Sequence, residues 1–250
     1  MSHNCIVTDG LQLLLDAGDS ESYSGSGSTW YDLSANNYDA TLVNETSYNS
    51  GDKGYFVFDG DNDYIDVNAN LSYESFSVGA FFRTSYAGVK MIISKETIAG
   101  VPWTYRIWLS GGQIVADIAQ GVTQQSLTSP LTSYNDGEWH YVMFTRDDNN
   151  WKLYVDGYEV NTRVDTFTGS IVDSQELWIG RSAFTGGSPT GSYPYAGDIS
   201  VVMIYNKVLT GSEILANYNC LLSRFAVFKI KVDKIFNNNG TMKIKKIIQM

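Results

Sequence analysis

The stretch that most constrains the fold is residues 136–157, DGEWHYVMFTRDDNNWKLYVDG, where two alternating patterns meet across a short turn rich in Asp and Asn. Trp139, Tyr141 and Met143 fall on one side of the first segment and His140, Val142 and Phe144 on the other. That segment is therefore expected to be a strand buried on both faces. In the second segment Trp151, Leu153 and Val155 oppose Lys152, Tyr154 and Asp156, the pattern of a strand with one wetter face. The turn at 147–150 and the Asp156-Gly157 pair supply residues that tolerate left-handed backbone angles, so the pattern predicts a β-hairpin. A chain of 250 residues with 43% hydrophobic and 14% aromatic content can bury one large core.

Three further segments repeat the strand pattern: YFVFDGDNDYIDV at 55–67, LWIGR at 177–181, and AGDISVVMIYNKVLTGSEILANY at 196–218. Together with the hairpin, these ordered motifs resemble laminin-G-like, concanavalin A-like lectin/glucanase domains. The resemblance implies an all-β fold over residues 1–220, a two-sheet antiparallel β-sandwich of jelly-roll type with one short helix near Ser212 to Tyr218. It is specific for fold and weak for function, because the same sandwich serves lectins, adhesion modules, glycosidases and structural proteins. The N-terminal segment runs from an apolar stretch ending at Asp16 into a Ser/Gly/Asn-rich loop with Trp30 and Leu33 as expected anchors. Its wording resembles laminin-G-like structural proteins of tailed phages.

Charge divides the chain. Residues 221–250 carry seven Lys/Arg and one acidic residue, whereas the preceding residues carry ten against 26. An acidic body repels phosphates, and no aromatic stacking motif accompanies the basic tail, so nucleic acid is not an expected partner. In the tail, Phe228, Ile230 and Val232 alternate with Lys229, Lys231 and Asp233, and Met242 and Ile244 alternate with Lys243 and Lys245 beyond an Asn-Asn-Asn-Gly turn, a second hairpin signal. An isolated hairpin is marginal in water. Residues 221–250 are therefore read as an attachment arm, with Phe225, Phe228, Lys229, Ile230, Lys231, Ile244 and Lys245 as its contact residues. No stretch approaches the ~18 apolar residues that cross a membrane, and the first ten residues show neither a basic leader nor an apolar h-region.

Catalysis finds little support. Glycosidases on the resembled fold usually carry an E-x-D-x-x-E strand, whose paired carboxylates act as nucleophile and general acid, and no such spacing occurs here. Glu159, Glu176 and Glu213 stand apart, and Glu213 completes a capping box begun by Thr210. His3 and His140 are the two histidines, one in a terminus and one in a two-sided strand, and no phosphate loop or dinucleotide fingerprint is present.

Binding has better candidates. Asp59, Asp61 and Asp63 lie within five residues, and with Asp156 and backbone carbonyls they could hold Ca2+ in a structural or lectin-like role; the same residues are ordinary turn formers. A sugar site needs aromatic platforms beside hydrogen-bonding groups. Trp103, Tyr105 and Trp108 form one candidate set and Tyr193 and Tyr195 another, each also readable as core; Trp139, Trp151 and Trp178 are read as core. Cys5 and Cys220 lie near the two ends of the expected sandwich, so a bridge and two free thiols are both open.

The expected function is a non-enzymatic virion surface protein, decorating a capsid or tail, present in multiple copies or as a homo-oligomer. Its arm would contact capsid or tail proteins, and its lectin-like domain would meet cell-surface polysaccharide. A soluble calcium-assisted carbohydrate-binding module and a degenerate glycosidase are the alternatives.

Overall fold

The computed structural model describes residues 5–96, 103–168, 170–172, 174, 176–182, 193–225, 230–236 and 242–248. Its body is two antiparallel eight-stranded sheets packed face to face. The first sheet runs in the order β14 (Tyr158–Val164), β13 (Asn150–Val155), β12 (Trp139–Asp147), β7 (Phe76–Arg83), β16 (Ala196–Tyr205), β5 (Tyr55–Asp59), β4 (Ser47–Asn49). The strand β1 (Leu11–Asp16) pairs with the later half of β16 where β5 pairs with its start, so two strands share one edge of β16. The second sheet runs β11 (Thr123–Thr128), β10 (Gln113–Gln120), β9 (Trp103–Ser110), β8 (Lys90–Glu96), β15 (Glu176–Ile179), β6 (Tyr64–Val67), β3 (Ala40–Val43), β2 (Thr29–Trp30). The two-sheet β-sandwich anticipated from the motifs is what the chain forms.

The alternation of side chains explains why. Across the second sheet, pairing brings Leu127, Ala116, Ile107, Ile93, Ile179, Ile65 and Leu42 into one row. All but Leu42 are buried, and all belong to or pack against the inter-sheet core. The first sheet meets this row with Val142, Phe144, Trp151 and Leu153 from the hairpin and with Phe76, Val78, Ala80 and Phe82 from β7. Period-two alternation places each of these on the inward side, where full burial of one such side chain stabilises by about 1.5–3 kcal/mol.

The first sheet is also covered on its outer side. Phe81, Tyr141, Met143, Val201, Met203 and Tyr205 alternate with the core set and lie beneath the helix α1 (Gly211–Phe225). The helix starts at the expected capping box: Thr210 N donates to Glu213 Oε2 at 2.7 Å and Glu213 N to Thr210 Oγ1 at 3.3 Å. It runs seven residues beyond the predicted end at Tyr218, because Ile214, Asn217, Leu221, Arg224 and Phe225 continue one buried face at helical spacing. Phe225 stacks between Phe81, at 4.8 Å, and Trp139, at 4.6 Å. Arg224 forms a bidentate ion pair with Asp16 of β1, both side chains almost fully buried. Losing one partner of such a pair costs about 3–5 kcal/mol. Residues 221–225 are therefore part of the sandwich, and Phe225 is not an arm residue. Beyond them, β17 (Ile230–Phe236) and β18 (Met242–Ile248) pair as an antiparallel hairpin, which puts Ile230, Lys231, Ile244 and Lys245 on its strands. Phe228 and Lys229 lie outside the described residues.

Two devices secure the N-terminal part of the chain in this body. Cys5 and Cys220 form a disulfide with Cα atoms 5.7 Å apart, fastening the start of the chain to the helix. Asp32 holds the long N-terminal loop by accepting from Leu14 N, Ser34 N and Tyr38 N at 2.9–3.0 Å and from Ser34 Oγ at 2.6 Å. Trp30 is fully buried beside Phe56, and Leu33 packs against the helix-side cluster.

The hairpin turns as its sequence indicates, with Asp148, Asp156 and Gly157 at positive φ. Asp156 does more than turn the chain. Its carboxylate accepts from Tyr141 N at 2.9 Å and lies 3.0 Å from His140 Nδ1, while Asp136 lies 3.2 Å from Nε2. Burial disfavours the charged imidazole, but the hydrogen bond and charge of Asp156, then those of Asp136, outweigh it, so the His140 pKa is raised above the ordinary 6.5. The folded state thus holds this proton more tightly than the unfolded chain. The resulting stabilisation is complete below the unfolded pKa and is lost as pH rises through the higher folded value. His140→Gln is expected to erase that loss: the melting temperatures of wild type and variant should converge between about pH 6 and about pH 9. A gap that does not change with pH would show that this imidazole is not linked to folding.

Candidate functional site

The outer face of the second sheet is built from the side chains that alternate with its isoleucine row. Ser126, Asp117, Arg106, Ser94, Trp178, Asp66, Thr41 and Thr29 line up across all eight strands. The neighbouring outward row brings together Thr128, Val115, Trp108 and Met91. Among the described residues this face has no counterpart of the helix that covers the other sheet. Trp108, Trp178 and Tyr64 are half-buried on it, and Trp178 lies against Tyr64 with ring centroids 4.5 Å apart. Trp178 is thus not the core residue that LWIGR suggested; Leu177 and Ile179 take the inward positions.

A bulge in β9 decides the fate of the first aromatic set. Lys95 pairs with Tyr105 and Glu96 with Trp103, so Thr104 is an extra residue and the alternation slips by one. Tyr105 points inward, fully buried, and donates to Leu71 O at 2.9 Å; it is closed to a ligand and leaves the sugar-site set. Trp103 is turned outward instead. Its indole donates to Asp117 Oδ1 at 3.0 Å, and the Arg106 guanidinium lies 3.7 Å from its ring. Asp117 also accepts from Arg106 Nε and Nη2, both at 2.8 Å, from Trp108 Nε1 at 3.1 Å and from Gln124 Nε2 at 2.8 Å. Five donors around one buried carboxylate lock two indoles and a guanidinium into a rigid, mixed aromatic and polar surface. Arg106 and Asp117 were not among the sequence candidates, although their lone polar positions between Tyr105, Ile107, Ala116 and Ile118 carry the signal.

The second aromatic set is divided as well. Tyr195 is fully buried, donates to Arg83 O at 3.0 Å and meets Phe58 edge-on, so it too is closed to a ligand. Tyr193 is 43% exposed. Its carbonyl accepts from Met91 N at 3.0 Å, next to the start of β8, and Ala196 pairs with Asp59. Tyr193 and the aspartate turn therefore meet at one corner of the sandwich. A cleft of about 310 Å³ opens beside them, lined in part by Arg83, Thr84, Tyr86, Ala196, Gly197 and Asp198. Arg83 is held by Asp198 at 2.8 Å and Asp52 at 3.0 Å, and its guanidinium lies 4.7 Å from the Trp139 ring. Gly197 is required there: a Cβ would fall 2.2 Å from Arg83 O.

Within the aspartate turn, Asp61 N donates to Asp59 Oδ1 at 2.8 Å and Asp59 N to Asp63 Oδ2 at 3.1 Å, the turn chemistry of such a sequence. Asp63 is buried, which pushes its carboxyl pKa up, and its Oδ1 has no hydrogen-bond partner. Asp156 is not a neighbour. Four strand spacings, from β13 to β5, separate it from Asp59, roughly 19 Å. Among the described residues no three His, Cys, Asp or Glu side chains converge as a metal site.

A comparison with curated proteins returned no match. Among solved structures, a botulinum neurotoxin type C structure, concerned with cell uptake through two ganglioside molecules, superimposes with a TM-score of 0.68 at 17% identity, covering 93% of this chain and 56% of that one. The binding domain of botulinum neurotoxin DC in complex with SialylT gives 0.67 at 16% identity, covering 91% and 54%. The receptor-binding domain of botulinum neurotoxin D gives 0.65 at 16% identity, covering 91% and 55%. The chain spans little more than half the length of these structures, and the likeness establishes a shared fold. The profile of the concanavalin A-like lectin/glucanase superfamily, in its laminin-G-like form, matches residues 58–215. With most of its length matched and two antiparallel sheets folded as a sandwich, the chain belongs to the concanavalin A-like lectin/glucanase superfamily.

Proposed function

We propose that this is a non-enzymatic, lectin-like glycan-binding protein, displayed on a virion surface, that takes saccharide on the outer face of its second sheet. The observation that carries the reading is the array on that face: Trp108, Trp178 and Tyr64 half-buried among Arg106, Gln124, Asp66 and Thr41, on a sheet without a helix over it among the described residues. A pyranose offers C–H faces to aromatic rings and hydroxyls to fixed polar groups, and the Asp117 network holds both kinds of partner rigidly. Solved neighbours that are themselves binding domains support the same reading.

Asp117 and Glu96 on this face suit binding better than hydrolysis. Both oxygens of Asp117 are taken up by donors, and Glu96 is engaged by Arg106 and Ser182. A glycosidase needs one carboxyl free to give a proton and another free to attack or activate water. Trp108→Ala and Trp178→Ala are each expected to weaken binding of a saccharide captured on a glycan array by about tenfold or more, about 1.4 kcal/mol. Failure of the full chain to retain any polysaccharide, or Trp variants that bind as wild type does, would sink the proposal.

Calcium belongs to this proposal at the aspartate turn, where Asp63 Oδ1 has no hydrogen-bond partner and Asp59, Asp61 and backbone carbonyls lie close in sequence. Ca2+ held there in its ionised form would raise the melting temperature at millimolar concentration, and EGTA would reverse the rise. An unchanged melt assigns the turn to backbone capping alone.

Display on a particle rests on the resemblance to tailed-phage structural proteins and on the basic charge after residue 225. Chains cut after residue 225 are expected to keep the fold and lose incorporation into particles that contain capsid or tail proteins. Equal incorporation of the shortened chain would remove the arm from the proposal.

A further inference from the structure

Lys90 is out of keeping with its surroundings. It opens β8 at the corner where Asp59, Ala196 and Tyr193 meet, and it is 93% buried, with 7% of its surface exposed. Among the described residues its ammonium makes no hydrogen bond and no ion pair; it lies 4.1 Å from the centroid of the Tyr86 ring, with Asp59 close enough to act on it only through its field. Burial accordingly lowers its pKa. An ammonium needs three acceptors, and a desolvated one that lacks them weakens the fold. Four other cations of the body are satisfied differently: Arg83, Arg106, Arg146 and Arg224 each engage carboxylates.

The Lys90 charge sits at the edge of the cleft beside Arg83 and Tyr86. Tyr86 and Ala196 both line the cleft, and the ammonium lies between them, 3.3 Å from where a Cβ on Gly60 would stand, with the Ala196 methyl 2.9 Å from that same point. The volume, about 310 Å³, is at the small end of ligand sites and suits one sugar unit. Tyr86, which lines the cleft, is 50% exposed, so an aromatic surface borders the mouth. Arg83 and Asp198 neutralise one another within it. The Lys90 ammonium, without a hydrogen bond or ion pair among the described residues, thus lies beside exposed aromatic surface.

We infer that this corner is a ligand site separate from the sheet face and takes a carboxylate-bearing sugar: the carboxylate pairs with Lys90 while the ring packs on Tyr86. Charge pairing here is favoured because burial has already removed part of the water around Lys90, so part of that desolvation is not charged to binding. The acidic body disfavours free anions at long range, which is why the ring contact matters as much as the charge. The site does not depend on the sheet-face reading, since none of its residues lies in the Asp117 network.

Saturation-transfer NMR titrations of the full chain with D-glucuronate, D-glucose, acetate and inorganic phosphate test the assignment. Glucuronate is expected to bind at least tenfold more tightly than glucose or either small anion. Lys90→Met should abolish that preference. Tyr86→Ala, at an exposed ring, should weaken glucuronate severalfold and leave the fold intact. Trp108→Ala should leave glucuronate binding unchanged. Equal affinity for glucuronate and glucose would overturn the inference, as would phosphate or acetate binding as tightly as glucuronate, or Tyr86→Ala binding glucuronate as wild type does. The Tyr86 variant decides the matter even if Lys90→Met does not fold. Loss of array binding in the Trp variants with glucuronate binding intact would confirm that the two sites are independent.

Discussion

The pairing register that lines Ile107, Ile93, Ile179 and Ile65 into one row is the constraint from which the rest of the molecule follows. Moving any of these strands by one residue would bring Arg106, Ser94, Trp178 or Asp66 into the core in its place. The inward row therefore specifies the outward one. The surface that carries the aromatic and polar array needs no separate code beyond the identity of its residues. Two bulges in the pairing of β8 with β9 modify this rule, at Ile92 and at Thr104, and the second lies where Trp103 must turn to reach Asp117.

The two sheets use their outer sides in opposite ways. The first places Phe81, Tyr141, Met143 and Met203 outward, and these require a cover, which α1 supplies. The second places Asp117, Arg106 and Trp178 outward, which can face water if they satisfy one another. A sandwich of two chemically similar sheets would need either two covers or none. The difference between the sheets gives the molecule a helix-covered side and a side with polar and aromatic groups outward, and this division is set by side-chain identity at alternating positions.

Much of the fold was legible in the sequence because period-two alternation is strong at 136–157 and 196–205, and Thr210 with Glu213 marks the helix start plainly. The helix end was not, since no glycine or proline follows Tyr218 and the continuation depends on Leu221 and Phe225 finding Phe81 and Trp139 across the fold. The sites were read less well. Tyr105 and Trp103 are two residues apart, so simple alternation puts them on one face; a bulge leaves no local mark that could have separated them. Trp178 could have been placed outward, because Leu177 and Ile179 already claim the inward side. Lys90 carries no sequence signature at all. Its interest arises from Tyr86, Asp59 and Ala196, which only the folded chain brings around it.

The disulfide between Cys5 and Cys220 and the ion pair between Arg224 and Asp16 place both ends of the folded body on the helix-covered sheet. The chain therefore departs, after Phe225, from the side opposite the Trp108 and Trp178 face, with the core of the sandwich between exit and face. A body tethered through that exit would point its Trp108 and Trp178 face away from whatever held it. Copies anchored side by side on a common support would present their faces in parallel, so that individually weak contacts with a repeating polymer act together through avidity without any copy having to reorient.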